Sequence, residues 1–266
     1  AAGAALAPLP ADTALGVAPH SLRAVSPEGL RAVTTLGHGP VHMHLAEQLA
    51  EVEEVQAARG ARPVEWLLAN MAVDARWCLV HCTQMQPHET RALAATGAVA
   101  GLCPITESSL GDGIFDAVRW CGAGGRLGIG SDSNIRIALS EELRTLEYSQ
   151  RLRDRSRAAL ARPGASTGRV LYDAALRGGA QAAGRAAGAI APGLWADLLT
   201  LDGAAIDLAG RDGDTLLDTW IFAGDDRMVR DVWAAGRPLV RDGRHHARDA
   251  IREAYAATLH RLRDAL

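Results

Sequence analysis

The stretch VHMHLAE, residues 41–47, places two histidines and a carboxylate on and just beyond one short predicted strand. Side chains on a β-strand point to alternate faces, so His42 and His44 share one face. Glu47 follows three positions after His44, where it would lie on the turn beyond the strand and close to the same site. A neutral imidazole is a good zinc ligand and a nearby carboxylate can carry protons, but a His-x-His strand is also a common structural pair. Both interpretations stay open on this stretch alone.

Short β-rich runs on either side of this stretch alternate with helical segments. The helices have recognisable starts, because Pro27, Pro63 and Pro87 stand at first helical positions, where the missing proline N–H would have been unpaired anyway. Alternation of this kind predicts an α/β fold with parallel strands joined by crossover helices. The predicted strands are residues 16–19, 40–45, 77–81, 98–103 and 126–130, and two longer helices begin near residues 140 and 170.

From Gly188 onward the sequence changes to turns and short strands. Residues 193–202 predict a turn followed by a strand, and a hairpin is predicted around the turn at 235–238. A helix closes the chain. The predicted division is the α/β part at residues 1–187, strands of a small β-sandwich subdomain at 188–246 and a C-terminal helix at 247–266.

Composition and charge exclude several classes of function. The 266 residues carry a net charge of -3, which gives no footprint for nucleic acid or an anionic membrane. No stretch approaches the roughly 18 uninterrupted apolar residues that a membrane span needs. Four cysteines without a paired framework suit reduced thiols in a cytoplasmic protein. All 28 basic residues are arginines, so the chain supplies neither a Schiff-base lysine nor a metal-bridging carbamylated lysine, and chemistry on a small molecule is favoured.

Two further predicted strands end in side chains suited to catalysis. His81 closes the run at 77–81, and Asp132 follows the run at 126–130 on a tight turn. The carboxyl ends of the strands in a (β/α) barrel face one opening, so His44, His81 and Asp132 would point over the same mouth. Taken alone, Asp132 is also a common turn or helix-capping residue.

A zinc-thiolate site built from Cys78, His81 and Cys82 is a weaker interpretation of the second strand. Strand alternation puts Cys78 on the opposite face from His81, and no second Cys/His pair completes such a site. These cysteines are better explained as small core residues.

The combination of His44-x-x-Glu47, His81 on the next strand and Gly-Ser-Asp at residues 130–132 resembles the deaminase branch of the amidohydrolase superfamily. The stretch at 188–198 is similar to the return from barrel to β-sandwich that is typical of that superfamily. The resemblance implies a partial TIM-type (β/α) barrel of the metal-dependent amidohydrolase kind, followed by part of a small β-sandwich and a C-terminal helix.

The resemblance also implies a metal site and catalytic roles. One divalent metal ion is expected, with zinc as its identity, and His44 and Asp132 would be metal ligands. Glu47, His81 and Asp132 would be the catalytic residues: Asp132 would accept a proton from the attacking water, Glu47 would pass a proton to the leaving nitrogen, and His81 would stabilise the tetrahedral intermediate. The absence of lysine is consistent with the mononuclear branch of the superfamily.

Finer stretches resemble the formimidoylglutamate deiminases of histidine degradation. The match covers nearly the whole chain, and it implies hydrolysis of N-formimino-L-glutamate to N-formyl-L-glutamate and ammonia. The stretches that carry it are APHSLRAV (18–25), HLAEQ (44–48), RPVEWLL (62–68), GLCP (101–104), LGDGIF (110–115), EELR (141–144) and EYSQRL (147–152).

Arg23 makes chemical sense for such a substrate, because a planar guanidinium can grip a carboxylate with two hydrogen bonds and formimidoylglutamate carries two carboxylates. His20, three residues earlier, would line the same opening as a second substrate contact. A structural arginine on a surface loop is the alternative interpretation.

One departure from the family pattern concerns the start of the chain. The family normally begins with sandwich strands and a first barrel strand that ends in His-x-His, and nothing before His20 can take that part. About five of the eight barrel strands are recognisable. We therefore expect a fragment of a longer gene product, which would bind metal weakly and be inactive by itself.

Two rival functions stay open. One is another amidohydrolase deaminase or chlorohydrolase that acts on a purine, pterin or triazine. The other is a non-catalytic binding or assembly subunit, which the joint presence of His44, Glu47, His81 and Asp132 disfavours. The oligomeric state is undetermined by the sequence, and a homodimer is left open.

Overall fold

A computed structural model describes residues 8–133 and 136–264 of the chain. Helices and parallel strands alternate through the first part and an antiparallel sheet follows. The elements are α1 Pro27–Thr34, β1 Val41–Leu45, α2 Leu49–Arg59, α3 Pro63–Asn70, β2 Trp77–His81, α4 Pro87–Ala94, β3 Val99–Leu102, α5 Pro104–Leu110, α6 Ala117–Gly122, β4 Arg126–Ile129, α7 Leu139–Asp154, α8 Thr167–Ala182, β5 Leu198–Leu201, α9 Gly213–Phe222, β6 Val229–Ala234, β7 Arg237–Arg241, β8 Arg244–His245 and α10 Arg248–Arg263.

The helix starts follow the prolines. Pro27, Pro63 and Pro87 are the first residues of α1, α3 and α4, so the three predicted starts are confirmed. Ser26 caps α1 by accepting a hydrogen bond from the amide of Gly29 at 3.0 Å, which satisfies one of the amides that a helix start leaves unpaired.

The first sheet is parallel, with strand order β1-β2-β3-β4. His42 lies beside Cys78 and His44 beside Val80, so one strand face carries both histidines, as alternation predicts. Leu30, Leu67 and Leu93 of the surrounding helices pack into the same core as the buried residues of the strands. The α/β fold class with parallel strands and crossover helices is therefore confirmed.

The prediction of a regular strand at 16–19 is wrong for the described structure. Val17 and Ser21 make single parallel bridges to Val41 and His44, and the residues between them are not part of a strand. Proline at position 19 has no N–H to give to a ladder, which limits the pairing of this segment with β1.

Helix α8 closes the N-terminal edge of the parallel sheet. The side-chain amide of Gln181 donates to the carbonyls of Ala75 and Gly97, which precede β2 and β3, at 2.8 Å each. Gly178 allows this approach, because a Cβ there would overlap the carbonyl oxygen of Leu127 in β4. The opposite edge of the sheet, where the strands end, is left for the site.

The second sheet is antiparallel, with order β5-β6-β7-β8. The hairpin prediction is confirmed: Ala235 and Gly236, both with positive φ, make the two-residue turn between β6 and β7, as a primed turn requires. Helix α9 interrupts the predicted run of strands, and its Trp220 packs edge-on against Tyr172 of α8 at 5.8 Å. The apolar residues at 216, 217, 220 and 221 have the spacing of a helix. The segment is short and lies between predicted strands, so its helical spacing was not recognised.

Ionic and hydrogen-bonded contacts connect the C-terminal elements to residues that precede them along the chain. Asp12 pairs with Arg185 at 2.9 Å and with Arg237 at 2.8 Å. Arg144 of α7 donates to the carbonyls of Ile221 and Gly224, at 2.7 Å each. The predicted boundary at residues 187 and 188 stays a prediction. The predicted C-terminal helix corresponds to α10, and its residues 265 and 266 lie outside the described residues.

No helix in the described part of the chain combines the length and the apolar character that crossing a membrane requires.

Candidate functional site

The candidate site lies at the C-terminal edge of the parallel sheet, where β1 passes into a tight turn. Ala46 has a left-handed φ of 51°, and the amides of Ala46 and Glu47 donate to the fully buried carboxylate of Glu51 at 3.2 and 2.8 Å. Charge-assisted bonds of this kind hold a strained turn in one shape. The first turn of α2 thus positions Glu47 at the strand end.

His44 has one ring nitrogen engaged and the other available. Its Nδ1 lies 2.8 Å from the carbonyl oxygen of His20. A carbonyl can only accept, so Nδ1 carries the proton, and a neutral His44 presents a lone pair on Nε2. Metal-binding histidines are typically oriented by a second-shell bond of this kind.

His42 lies two residues from His44 on the same strand but makes a different hydrogen bond. Its Nε2 donates to the carbonyl of Ala182, at the end of α8, over 2.7 Å. His42 is therefore the structural member of the His-x-His pair at the closed edge of the sheet, and His44 is the member at the site.

His81 is fully buried at the centre of a ring of carboxylates. Its Nδ1 is 3.3 Å from Glu107 Oε1, and its Nε2 is 3.5 Å from Glu47 Oε1 and 3.7 Å from Asp132 Oδ2. Its ring stacks on that of His44 with centroids 5.6 Å apart. His81, Glu47, Asp132 and His44 are therefore neighbours at one strand edge, as the sequence predicted.

The backbone at these strand ends is strained. His81 and Cys82 have φ values of 70° and 53°, and Asp132 has a φ of 48°. These values lie in the left-handed region, which residues other than glycine rarely adopt. Regular alternation would direct His81 to the face shared by Trp77 and Leu79, so the left-handed backbone is what removes it from the strand pattern. Such strain is retained where the surroundings over-determine it and is frequent at functional sites.

Asp132 combines a turn with an open carboxylate oxygen. Its Oδ1 accepts from the amide of Ser133 at 2.7 Å, which is the turn role that the sequence left open. Its Oδ2 is the oxygen that faces His81, and about a quarter of the side chain is exposed. Asp132 can therefore hold its turn and offer one oxygen to the site together.

Two buried carboxylates in this region escaped the sequence analysis. Glu107 Oε1 accepts from the amide of Cys103 at 2.9 Å as well as facing His81, and Glu142 Oε2 accepts from the amide of Ile105 at 2.8 Å. Both serve the first turn of α5, directly after β3. Glu107 could have been predicted from its position shortly after the end of β3, because Glu47 likewise follows the end of β1.

Burial and charge act in opposite directions on His81. Burial in a medium of low polarity lowers the pKa of an imidazole, but the hydrogen bond to Glu107 and the charges of Glu47, Glu107 and Asp132 outweigh it and raise the pKa of His81. Burial also raises the pKa of Glu142 to about 7, against the lowering effect of the Ile105 amide.

The donor atoms at the strand ends fit a divalent cation. Nε2 of His81 is buried without a hydrogen-bond partner among the described residues, so a cation or a bound molecule would satisfy it. Ligand atoms of His81, Cys103 and Asp132 lie within 4.8 Å of one another, and His44 is not part of that group. Burial raises the pKa of the Cys103 thiol, which makes it a weaker donor than imidazole and carboxylate. Cys78 and Cys82 are outside the group.

His20 and Arg23 diverge in the structure. The ring of His20 lies 5.0 Å from that of His44, at the rim of the site. Arg23 is exposed and lines a cavity of about 550 Å³ with Arg59 and Trp66, and none of His20, His44, Glu47, His81 and Asp132 lines that cavity. Its role in binding substrate stays a prediction.

Comparison with protein families and curated proteins gives a consistent result. The model of the amidohydrolase family matches residues 6–239. The formimidoylglutamate deiminase of Pseudomonas aeruginosa is 54% identical over 257 residues, which are 96% of this chain and 57% of that protein. The chain thus spans little more than half the length of this relative.

Two solved structures resemble the chain, and in each case the chain again covers little more than half of the other protein. An amidohydrolase from Brucella melitensis has 50% identity and a TM-score of 0.88, covering 93% of this chain and 55% of the other. An adenosine deaminase from Xanthomonas campestris, solved with bound zinc, has 28% identity and a TM-score of 0.82 over 93% of this chain and 56% of the other. These likenesses and the parallel strands confirm the predicted barrel type.

Proposed function

This chain belongs to the amidohydrolase family, and we propose that it carries the strand-end part of a metal-dependent deiminase site. The proposed reaction is hydrolysis of N-formimino-L-glutamate to N-formyl-L-glutamate and ammonia. Because the chain spans 57% of its Pseudomonas relative, the proposal concerns the whole protein in which these residues act.

One observation carries the proposal: a buried imidazole nitrogen, without a hydrogen-bond partner among the residues that the structure describes, faces two carboxylates beside a second histidine. Nε2 of His81 lies 3.5 Å from Glu47 and 3.7 Å from Asp132. Acids and bases held this close around a buried imidazole can exchange protons with a bound molecule without reorganising. Hydrolytic removal of the formimino nitrogen needs such groups, since both protons of water must leave the oxygen and reach the nitrogen that departs as ammonia.

His44 and Asp132 would hold the metal in this proposal. The Nδ1–H bond of His44 to a backbone carbonyl leaves Nε2 as a donor, and Asp132 keeps Oδ2 free of its turn. Nitrogen and oxygen donors of this kind suit zinc, which is the ion we propose. A divalent cation supplies Lewis-acid chemistry there, lowering the pKa of water toward neutrality.

The chain's own residues divide the proton transfers. Asp132 accepts a proton from the attacking water, and Glu47 delivers one proton to the formimino nitrogen on addition. A second proton, released by the added oxygen, reaches the same nitrogen through Glu47 as it leaves as ammonia. His81 donates a hydrogen bond to the oxygen on which negative charge develops, a role that its raised pKa favours. The water oxygen adds to the formimino carbon while the C=N double bond becomes a single bond. That single bond then breaks to release ammonia as the carbon–oxygen double bond forms, and the carbon stays on the glutamate nitrogen as a formyl group.

His20 and Arg23 would bind the substrate. His20 is at the rim beside His44, and Arg23 follows three residues later in the same segment with an exposed guanidinium. A carboxylate gripped by Arg23 would distinguish formimidoylglutamate from uncharged heterocycles.

The test measures ammonia release and zinc per chain with N-formimino-L-glutamate. It uses both this 266-residue chain and an N-terminally extended chain, the latter being the form in which we expect turnover.

Arg23→Met should raise KM at least about tenfold, since a charge-assisted bond is worth about 1.5–3 kcal/mol. The matched control is Arg31→Met on the exposed surface of α1, which should leave KM unchanged. Equal KM values for the two variants would remove Arg23 from the substrate site.

A second candidate is deamination of an adenosine-type substrate. It is favoured by the 28% identity to the Xanthomonas adenosine deaminase. Adenosine in the same assay separates the two candidates, because turnover of adenosine that is insensitive to Arg23→Met would replace the first proposal by the second.

A further inference from the structure

We propose that Glu107 is a positioning residue, which fixes the ring of His81 so that Nε2 faces the space between Glu47 and Asp132. The inference rests on the proposed function for its catalytic consequence. The placement of the ring itself depends only on the described residues and can be tested separately.

Glu107 supplies the hydrogen bond that orients this ring among the described residues. Oε1 of Glu107 is 3.3 Å from His81 Nδ1, whereas Nε2 has no hydrogen-bond partner there. The side chain of His81 is fully buried and that of Glu107 is 6% exposed, so solvent scarcely competes for the bond. A rotation of the imidazole by half a turn would carry the proton donor away from the carboxylate and lose a charge-assisted bond.

The position of Glu107 is itself secured by the fold. Its Oε1 also accepts from the amide of Cys103, the residue before α5, at 2.9 Å. The helix start, β3 and the carboxylate are therefore linked, and β3 is paired to the strand that ends at His81. Glu107 bonds to Nδ1 of His81, whereas Glu47 and Asp132, to which we assign proton transfer, face Nε2 on the other side of the ring, so Glu107 acts through His81.

The alternative is that Glu107 merely caps α5. Glu142 offers a matched control, because its buried carboxylate accepts from the amide of Ile105 in the same first turn, whereas the ion pairs of His81 in the described residues are with Glu47, Glu107 and Asp132. A capping role predicts equal consequences for Glu107→Gln and Glu142→Gln. A positioning role predicts an effect on His81 for Glu107→Gln alone.

The direct experiment is NMR of the histidine ring nitrogens in the ¹⁵N-labelled 266-residue chain, with His81 assigned as the signal absent from His81→Gln. In the unsubstituted protein we expect a protonated Nδ1 whose proton is strongly shifted downfield and protected from exchange. Glu107→Gln should move that proton upfield and shorten its lifetime, and Glu142→Gln should leave it in place. An unchanged Nδ1 signal in Glu107→Gln would overturn the proposal whether or not the chain turns over.

Kinetics give a second readout, in the form of the protein that hydrolyses the substrate. Glu107→Gln should lower kcat by about 10- to 100-fold, the usual effect of losing an outer-shell partner of a site histidine. KM should stay within about twofold, because Glu107 is behind His81 and not at the rim. Equal kcat values for Glu107→Gln and Glu142→Gln would contradict the catalytic part. Absence of turnover with an intact NMR difference would refute the proposed function and leave the positioning of His81 standing.

Discussion

The two edges of the parallel sheet differ although the same strands form both. At the N-terminal edge, α8 packs closely on β4 and its Gln181 satisfies the carbonyls of Ala75 and Gly97. At the C-terminal edge lie strained backbone, buried carboxylates and an imidazole nitrogen that has no hydrogen-bond partner in the described part of the chain. One edge contributes stability, and the other carries groups that the described residues leave without a hydrogen-bond partner and that a bound ion or substrate would satisfy.

His42 and His44 give the sharpest test of this comparison, with the largest expected effect. In the form that turns over, His44→Asn should lower turnover by about 100-fold or more and reduce bound zinc, because a proposed ligand is lost. His42→Asn should leave turnover within about threefold and lower the free energy of unfolding by about 1 kcal/mol, since the Ala182 carbonyl loses its donor. Assays of ammonia, zinc and urea unfolding measure these effects. A comparable loss of turnover in both variants would break the distinction between the edges.

Gly178 tests the closed edge. Gly178→Ala should lower the free energy of unfolding by about 3 kcal/mol, because the new methyl group would overlap the Leu127 carbonyl and force α8 away from β4. Gly179→Ala is the control: its Cβ would meet nothing within 4 Å, and alanine gains about 0.5–1 kcal/mol over glycine in a helix. Urea denaturation compares the two, and equal stabilities would mean that close packing of α8 is not what closes this edge.

Glu142 tests the C-terminal edge of the sheet through the pH dependence of the free energy of unfolding. Burial raises its folded-state pKa to about 7 from an ordinary value of 4.5. The folded state therefore holds the proton more tightly than the unfolded state, and this contribution to stability is present below about pH 4.5 and is lost as pH rises toward 7. Glutamine cannot ionise, so in Glu142→Gln the free energy of unfolding should fall by about 2 to 3 kcal/mol less over this pH range than in the unsubstituted protein.

Unfolding curves between pH 4.5 and 8 measure this difference in slope. The control is Glu53→Gln on the exposed face of α2, which should keep the slope of the unsubstituted protein. A Glu142→Gln variant with an unchanged slope would show that this carboxyl is solvated in the folded chain.

The sequence predicted the parts of the site that depend on local order. Pro63 and Pro87 mark helix starts because the ring fixes φ and removes a donor, and these effects do not depend on distant contacts. His44, Glu47, His81 and Asp132 were found because parallel strands bring their carboxyl ends to one edge. The strand expected at 16–19 failed for the converse reason, since strand formation depends on which neighbours pair with it.

The same distinction separates the residues that were found from those that were missed. The sequence by itself determined the alternation of β1 to β4 with crossover helices, the four residues gathered at one edge and the family to which the chain belongs. Only the tertiary structure decided that His42 bonds to α8 while His44 faces the site, and that Glu107 lies behind His81. Those roles are set by contacts between residues far apart along the chain, and the burial that makes such contacts strong exists only once the sheet and its helices have packed.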